Sequence, residues 1–208
     1  MSYRPAPFLC AALLGAALLA ACATVTKIPT EWRDPAYQGG AFQKIFVIGV
    51  GENDTRRRLF EDRFAAVLSD QGAAASPSYG LLPSSERLSE QQVRGAIQGG
   101  GYDGVIVSRL LGVEEDTRYV PPQTYTVPRS YRGGYYGYYG RTWDVVHEPG
   151  YYETNTTVRL ETNLYQVQTG ELVWSGQSET FNPNSVKDII DSATQAVARH
   201  LGDEGLLP

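Results

Sequence analysis

The sequence predicts an α+β domain in which a single mixed sheet is covered by about three helices. Two apolar runs, KIFVIGV and YDGVIVSRLLGV, alternate with helical segments in the order β-α-β-α-β. The later segment TTVRLETNLYQVQ alternates between apolar and polar residues and leads into a Thr-Gly turn. An amphipathic helix then follows the second strand of this hairpin. The β-α-β order favours crossover connections and at least one parallel strand pair.

The N-terminus has the features of a targeting signal. Arg4 supplies a positive charge, and an apolar run from Phe8 to Ala21 ends in small residues. This run has the length of a signal-peptide core and is short for a membrane-spanning helix. We therefore expect the folded domain to begin after it.

The four residues LAAC, which end at Cys22, resemble the lipobox of bacterial lipoproteins. The resemblance implies that residues 1–21 are a cleaved signal peptide and that Cys22 receives diacylglycerol and an acyl chain such as palmitate. Two or more acyl chains anchor a protein stably, since each buried methylene contributes about 0.8 kcal/mol. Ala23 stands where an aspartate often marks inner-membrane retention, which favours the periplasmic face of the outer membrane. The alternative is a plain secretory signal with an incidental Cys22.

The composition excludes several classes of site. Cys10 leaves with the signal and Cys22 is lipidated, so the folded part has no disulfide, thiolate metal site or cysteine nucleophile. Without Arg4, the 18 basic residues fall to 17 against 23 acidic ones, a net charge of −6. Nucleic-acid binders usually present a basic face, so no nucleic-acid partner is predicted. The short basic cluster TRRRLF is interpreted as a solvated helix face rather than a binding patch.

Residues 22–41 are predicted to be a lipidated tether, which Trp32 and Tyr37 dock onto a single domain over residues 42–208. The capping-box pattern of Ser89 and Gln92 predicts the start of a helix. After the strand at 44–50, the sequence predicts a helix from Asp54 or Thr55 to about Gln71 and a strand from about Ala74 to Leu82. A second helix ends at the glycines 99–101. Strands at 103–113, 156–168 and 171–181 follow, and a last helix is capped by Gly202.

Residues 114–155 are predicted to form a long excursion between two strands. It contains YRGGYYGYYG, in which the glycines argue against a core strand and the tyrosines against a disordered spacer. Tyrosine supplies amphipathic contact area, and glycine lets the backbone adapt to a partner. We interpret the excursion as an extended hairpin with a mobile tip, and the alternative is an insertion without a binding role. The candidate partner-binding residues are Tyr135, Tyr136, Tyr138, Tyr139 and Trp143.

Four segments together resemble an uncharacterised family of Gram-negative envelope lipoproteins, labelled only as a domain of unknown function. They are WRDPAYQGGAFQKIFVIGV, PSYGLLP, YDGVIVSRLLGV and TTVRLETNLYQVQTGELVWSG. The last is also similar to a wider group that includes the curli-secretion lipoprotein, the lipoprotein activator of penicillin-binding proteins and the N-terminal domain of the Tol translocation protein. The wider resemblance implies an anticodon-binding-like fold and a role in binding partners without catalysis.

The sequence predicts no catalytic residue, cofactor or metal. In GVGEND, Asp54 replaces the third glycine of a nucleotide fingerprint and would repel a pyrophosphate. His147 and His200 lie far apart with no zinc-ligand spacing. The neighbouring acids Glu114 and Glu115 would point to opposite faces of a strand, which does not suit a glycosidase pair.

These features predict a lipid-anchored, non-catalytic module that binds an envelope protein or glycan. One alternative is a structural or secretion-associated lipoprotein that forms oligomers, with the tyrosines at a subunit interface. A second alternative is an envelope hydrolase. The sequence predicts neither the partner nor the oligomeric state.

Overall fold

The computed structural model describes residues 24–82, 89–128 and 143–208, and within these ranges it confirms the predicted α+β class. A six-stranded mixed sheet is accompanied by a two-stranded sheet and three helices. The strands are β1 (Thr26–Arg33), β2 (Lys44–Val50), β3 (Ala74–Pro77), β4 (Gly104–Val120), β5 (Gln123–Pro128), β6 (Trp143–Glu148), β7 (Tyr151–Gln166) and β8 (Leu172–Phe181). The helices are α1 (Asp54–Asp70), α2 (Glu90–Gly100) and α3 (Val186–Asp203), and a 3₁₀ turn spans Ser78–Gly80.

The large sheet has the strand order β1-β8-β7-β4-β2-β3. β2 is parallel to both β3 and β4, which confirms the predicted parallel pairing. The remaining neighbours, β4 with β7, β7 with β8 and β8 with β1, are antiparallel. Among the described residues, no helix has the length and apolar content needed to cross a membrane.

β1 lies inside the stretch predicted to be a tether, and the sequence analysis missed it. Its sequence, TKIPTEWR, contains Pro29 and few apolar residues, and both features are typical of an edge strand. Its register with β8 shifts between Lys27 and Thr30. Tyr37 docks as predicted by stacking on Phe42, with ring centroids 5.6 Å apart. Trp32, in contrast, is 48% exposed.

The two faces of the sheet bury different sets of side chains. Ile45 and Val47 of β2 point to the face covered by α1 and α3, where the principal core also contains Ile106, Leu164 and Trp174. The alternate residues of β2 contribute to a smaller cluster on the other face, beneath α2. That cluster comprises Phe46, Ile48, Leu82 and Val105, with Val93, Ala96 and Ile97 of α2 packed against it.

Helix boundaries agree with the prediction at α1 and α2 and differ at α3. The capping box of α2 is present, with the Gln92 N–H donating to Ser89 Oγ at 3.3 Å. α3 continues past the predicted cap, because Gly205 at φ 68° rather than Gly202 adopts the left-handed conformation. The predicted strand from Ala74 ends early, since the 3₁₀ turn begins after Pro77.

The prediction of a solvated face for TRRRLF is wrong at Arg57, which is buried in α1 beside the fully buried Glu61. Arg57 Nε donates to Glu61 Oε1 at 2.9 Å, and Arg57 Nη2 donates to the Leu82 carbonyl at 2.6 Å. Glu61 also accepts hydrogen bonds from the backbone N–H of Gly49 and Tyr79, both at 2.9 Å. We call these contacts the Arg57–Glu61 network.

Ser78 completes this network, since its hydroxyl donates to Glu61 Oε1 at 2.8 Å and accepts from Arg57 Nη2 at 3.0 Å. Two charges removed from water are tolerated only when both are paired and their remaining hydrogen-bonding groups are satisfied. The network meets this condition and joins α1 to the end of β2 and to the turn after β3.

We expect Glu61→Gln to lower the free energy of unfolding by about 3–5 kcal/mol, because it leaves the buried Arg57 charge without a counter-charge. Urea denaturation of the variant measures this loss. Asp62→Asn is the matched control at the neighbouring exposed position, where the effect should stay below about 1 kcal/mol. Equal destabilisation by the two substitutions would contradict a special role for the network.

Candidate functional site

The predicted excursion is, in its described part, a two-stranded antiparallel ribbon that projects from the sheet. β4 pairs with β2 only as far as Arg109, but it continues to pair with β7 until Val120. β7 in turn pairs with β8 only from Thr157 onward. We call the described residues of this stretch, 110–128 and 143–156, the arm. At about 3.3 Å per residue, the stretch of β4 from Gly112 to Val120 extends about 30 Å.

β5 and β6 continue the arm as a second ribbon, in which Gln123 pairs with Glu148. The prolines in the linkers at residues 121–122 and 149–150 interrupt the ladder, since proline has no backbone N–H. Gly150 lets the Tyr119 ring lie close to the linker, since a Cβ at this position would lie 2.2 Å from Tyr119 Oη and displace the ring.

Most of the residues predicted to bind a partner lie outside the described ranges. Trp143 is the exception in backbone position: it is the first residue of β6 and pairs with Pro128, although its side chain is not described. Residues 129–142 connect β5 to β6 along the chain. Tyr135, Tyr136, Tyr138 and Tyr139 belong to that segment, and Cys22 also lies outside the description.

Cross-strand pairs stabilise the arm in place of a core. Arg118 Nη2 donates to Glu153 Oε2 at 2.6 Å, and this hydrogen bond raises the pKa of Arg118. The hydroxyl groups of Thr117 and Thr154 are 2.9 Å apart, on the face opposite to that ion pair. Each such pair contributes about 0.2–1 kcal/mol relative to alanine, so the ribbon keeps its form without burying a side chain.

The root of the arm is fixed to the sheet by polar contacts. Arg159 forms ion pairs with Glu179 at 2.8 Å and with Glu114 at 2.6 Å, and the Glu179 hydrogen bond is the main reason that the pKa of Arg159 is raised. Asn182 follows β8 and bonds to the edge of β7. Its N–H donates to the Thr156 carbonyl at 2.8 Å, and its Oδ1 accepts from the Thr156 N–H at 2.7 Å.

Aromatic and apolar side chains are exposed along the arm. The rings of Tyr119 and Tyr152 lie side by side with centroids 5.1 Å apart, and Tyr152 is 75% exposed. Tyrosine rings of this kind can fill a protein pocket or stack on a sugar ring. Beyond Arg109, β4 has no second strand beside it among the described residues, so its outer edge can accept an extended chain. The other exposed members are Leu110, Leu111, Val113, Tyr125, Val145 and Tyr151.

A second polar cluster joins β1 to the end of α3. Its members are Glu31, His200 and Glu204. One ring nitrogen of His200 and one carboxylate oxygen of each glutamate, atoms of the kind that bind metal ions, lie within 4.8 Å of one another. Arg33 Nη1 donates to Glu204 Oε2 at 2.9 Å. The sequence analysis did not identify this group, because Glu31 is distant in the chain, although the four-residue spacing of His200 and Glu204 places them on one side of a helix end.

The predicted separation of the two histidines is confirmed. His147 lies on β6 and its Nδ1 is 2.5 Å from Thr124 Oγ1 of β5, whereas His200 packs against Trp174 with ring centroids 5.7 Å apart. Glu114 and Glu115 also take opposite faces of β4, and Glu114 is paired with Arg159.

A half-open cavity of about 480 Å³ lies between α2 and the turn that joins β7 to β8. Arg94, which lines it, is neutralised by Glu90 at 2.5 Å. The apolar lining consists of Val93, Ile97, Val105, Tyr165 and Val167.

No protein-family model and no curated protein matches the chain, so the family resemblance stays a prediction. Two solved structures, one of an oligomer and one of a lipoprotein, are similar to the chain at low sequence identity. The PelC dodecamer from Paraburkholderia phytofirmans is 13% identical, with a TM-score of 0.45 over 88% of this chain and 100% of that chain. Lipoprotein GNA1162 from Neisseria meningitidis is 15% identical, with a TM-score of 0.40 over 77% of this chain and 99% of that chain. Similarity of this degree does not assign a function.

Proposed function

We propose that the protein is a lipid-anchored, non-catalytic binding module of the bacterial cell envelope, and that its arm binds an envelope protein or glycan. The observation that supports this function is the arm itself. β4 continues about 30 Å past β2, β7 extends about 20 Å past β8, and both expose tyrosines that no core contact requires. A ribbon of this length is typical of a recognition element supported by a rigid scaffold.

Anchoring at Cys22 would hold the domain close to the membrane. Only three residues separate Cys22 from Thr26, the first residue of β1, and a fully extended chain spans at most about 14 Å over that distance. The long tether that composition suggested is therefore reduced to a short link in this proposal.

The register places Thr26, the first residue of β1, and the arm at the same end of the sheet. Thr26 is opposite Thr180, Thr180 is opposite Val158, and Val158 is opposite Val113, near the start of the arm. β1 runs from this row away from the arm, so the residues before Thr26 leave on the arm's side. With so short a link, we infer that the arm operates near the membrane that holds the lipid.

An oligomeric role is the second candidate, favoured by the exposed strand edges of the arm. In that case the outer edge of β4 would pair with a neighbouring copy rather than with a different protein. Light scattering on the full chain in detergent distinguishes the two: a discrete large oligomer supports self-association, and a monomer supports a separate partner.

Lipidation is tested by metabolic labelling with an alkyne palmitate. We expect the wild type to incorporate the label and Cys22→Ala to lose it, because only the thiol at the LAAC cysteine is modified in this proposal. Cys10→Ala, in the removed segment, is the matched control and should retain labelling. An unlabelled wild type would contradict the proposed anchor.

Partner binding is tested with the double variant Tyr119→Thr/Tyr152→Thr, which removes two exposed rings while keeping strand-forming residues. In a pull-down from solubilised envelopes, we expect recovery of a specific partner to fall at least about tenfold, equivalent to about 1.4 kcal/mol. Trp32→Thr, an exposed aromatic on β1, is the control. Equal recovery of the partner by the wild type, the double variant and Trp32→Thr would exclude the Tyr119 and Tyr152 rings from the partner-binding surface.

The position of the arm is tested with single cysteines carrying a fluorophore. The mature chain has no other free thiol, so Glu115→Cys in the arm and Thr169→Cys in the β7–β8 turn can be labelled separately. In vesicles containing nitroxide-headgroup lipids, quenching should be stronger at residue 115, because the arm leaves the sheet at the anchor's end. Stronger quenching at residue 169 would show the opposite orientation.

A further inference from the structure

We propose that Glu31, His200 and Glu204 form a binding site for a divalent transition-metal ion, with zinc as the ion that best fits the donors. This proposal is independent of the proposed function, since it concerns the junction of β1 with α3 and involves neither the arm nor Cys22. One imidazole nitrogen and two carboxylate oxygens are ligands that zinc accepts, and three protein ligands leave a fourth position for water.

The backbone brings the three donors together from two elements. His200 is in the last turn of α3 and Glu204 is its C-cap residue, so the i, i+4 spacing directs both side chains to one side of the helix end. Glu31 reaches them from β1, which lies beside β8 at the edge of the sheet. The donor atoms of all three lie within 4.8 Å of one another, so small side-chain shifts, including a separation of Glu31 from His200, would bring them into one coordination sphere.

The environment of the His200 imidazole supports metal binding more specifically than the two carboxylates alone would. His200 Nε2 is shielded from solvent and has no hydrogen-bond partner among the described residues. The Glu31 carboxylate contacts this nitrogen as an ion-pair partner but does not satisfy the hydrogen-bond geometry. The solvent-shielded ring nitrogen thus lies against the Glu31 carboxylate, with a Glu204 carboxylate oxygen within 4.8 Å, and a bound metal ion would replace the direct His200–Glu31 contact.

Neighbouring residues hold the donors in place. The ring of Trp174, itself 1% exposed, packs against the His200 ring at an interplanar angle of 41°. Arg33 Nη1 donates to Glu204 Oε2 at 2.9 Å and to the Glu204 backbone carbonyl at 2.6 Å. Because each carboxylate has a second oxygen, Arg33 can orient Glu204 while the other oxygen binds the ion. A bound ion would then cross-link β1 to α3.

Zinc binding is tested with the untagged full-length protein by thermal unfolding at increasing ZnCl₂. At about 100-fold excess over the dissociation constant, the wild type should gain about 5–10 °C in melting temperature. The gain should disappear in His200→Gln and in Glu31→Gln. His147→Gln, the only other histidine in the chain, is the matched control and should keep the full gain.

A spectroscopic readout separates ligation from a general effect on stability. Cobalt substituted for zinc should produce the visible absorption of a tetrahedral site in the wild type and in His147→Gln, and none in His200→Gln. Arg33→Gln should lower the metal-free melting temperature by weakening an ion pair, yet retain the gain with zinc. No zinc-dependent gain in the wild type, or the same gain in His200→Gln and His147→Gln, would overturn the proposal and leave an ion-pair network only.

Discussion

The buried Arg57–Glu61 network is the constraint on which the parallel half of the sheet depends. Glu61 is fully buried, and its carboxylate accepts hydrogen bonds from the backbone of both Gly49 and Tyr79. Those donors belong to the end of β2 and to the turn after β3, so the carboxylate fixes α1 against two separate segments at once. A one-residue slip of β2 would remove a donor and leave part of a buried charge unsatisfied, at a cost far above that of a lost surface contact. The network therefore adds a polar constraint on register to the one that apolar packing supplies in this region.

The antiparallel half follows a different physical rule. In β4 and β7 the same continuous strands serve two environments: Ile106 and Leu164 are buried in the core, while beyond Val113 the pairing depends on threonines, an ion pair and a tyrosine pair. Cross-strand contacts of this kind keep a ribbon intact without requiring anything to cover it. The stability of the domain and the surface chemistry of the arm are thus separable, because the residues that fill the core do not extend into the arm. Substitutions in the arm can change what it binds while the core remains intact.

The sequence predicted elements whose apolar periodicity is strong and missed those defined by polar contacts. α1, α2 and the alternating strand β7 were predicted because apolar spacing distinguishes a helix from a strand. β1 was missed because an edge strand that contains Pro29 shows little alternation. The burial of Arg57 was missed because a charged side chain four residues from an acid is usually on the surface, and the sequence does not show the backbone donors that satisfy Glu61. The cluster around His200 depends on an edge strand whose position only the three-dimensional structure supplies.

β1 links these observations to the proposed anchoring. It pairs with β8 on both sides of its register shift, and Thr26 contacts both Thr180 of β8 and Ser192 of α3. Tension from the proposed membrane anchor that acts along the strand axis would reach β1 at Thr26, its first residue. In that geometry the β1–β8 hydrogen bonds are loaded together rather than opened one after another from an end. The far part of β1 is held to α3 by the Arg33–Glu204 ion pair and by the Glu31–His200 contact. Resistance to shear depends on how many contacts carry the force at the same time, rather than on how deeply they are buried. An edge strand with few apolar residues can therefore connect the whole domain to the proposed anchor.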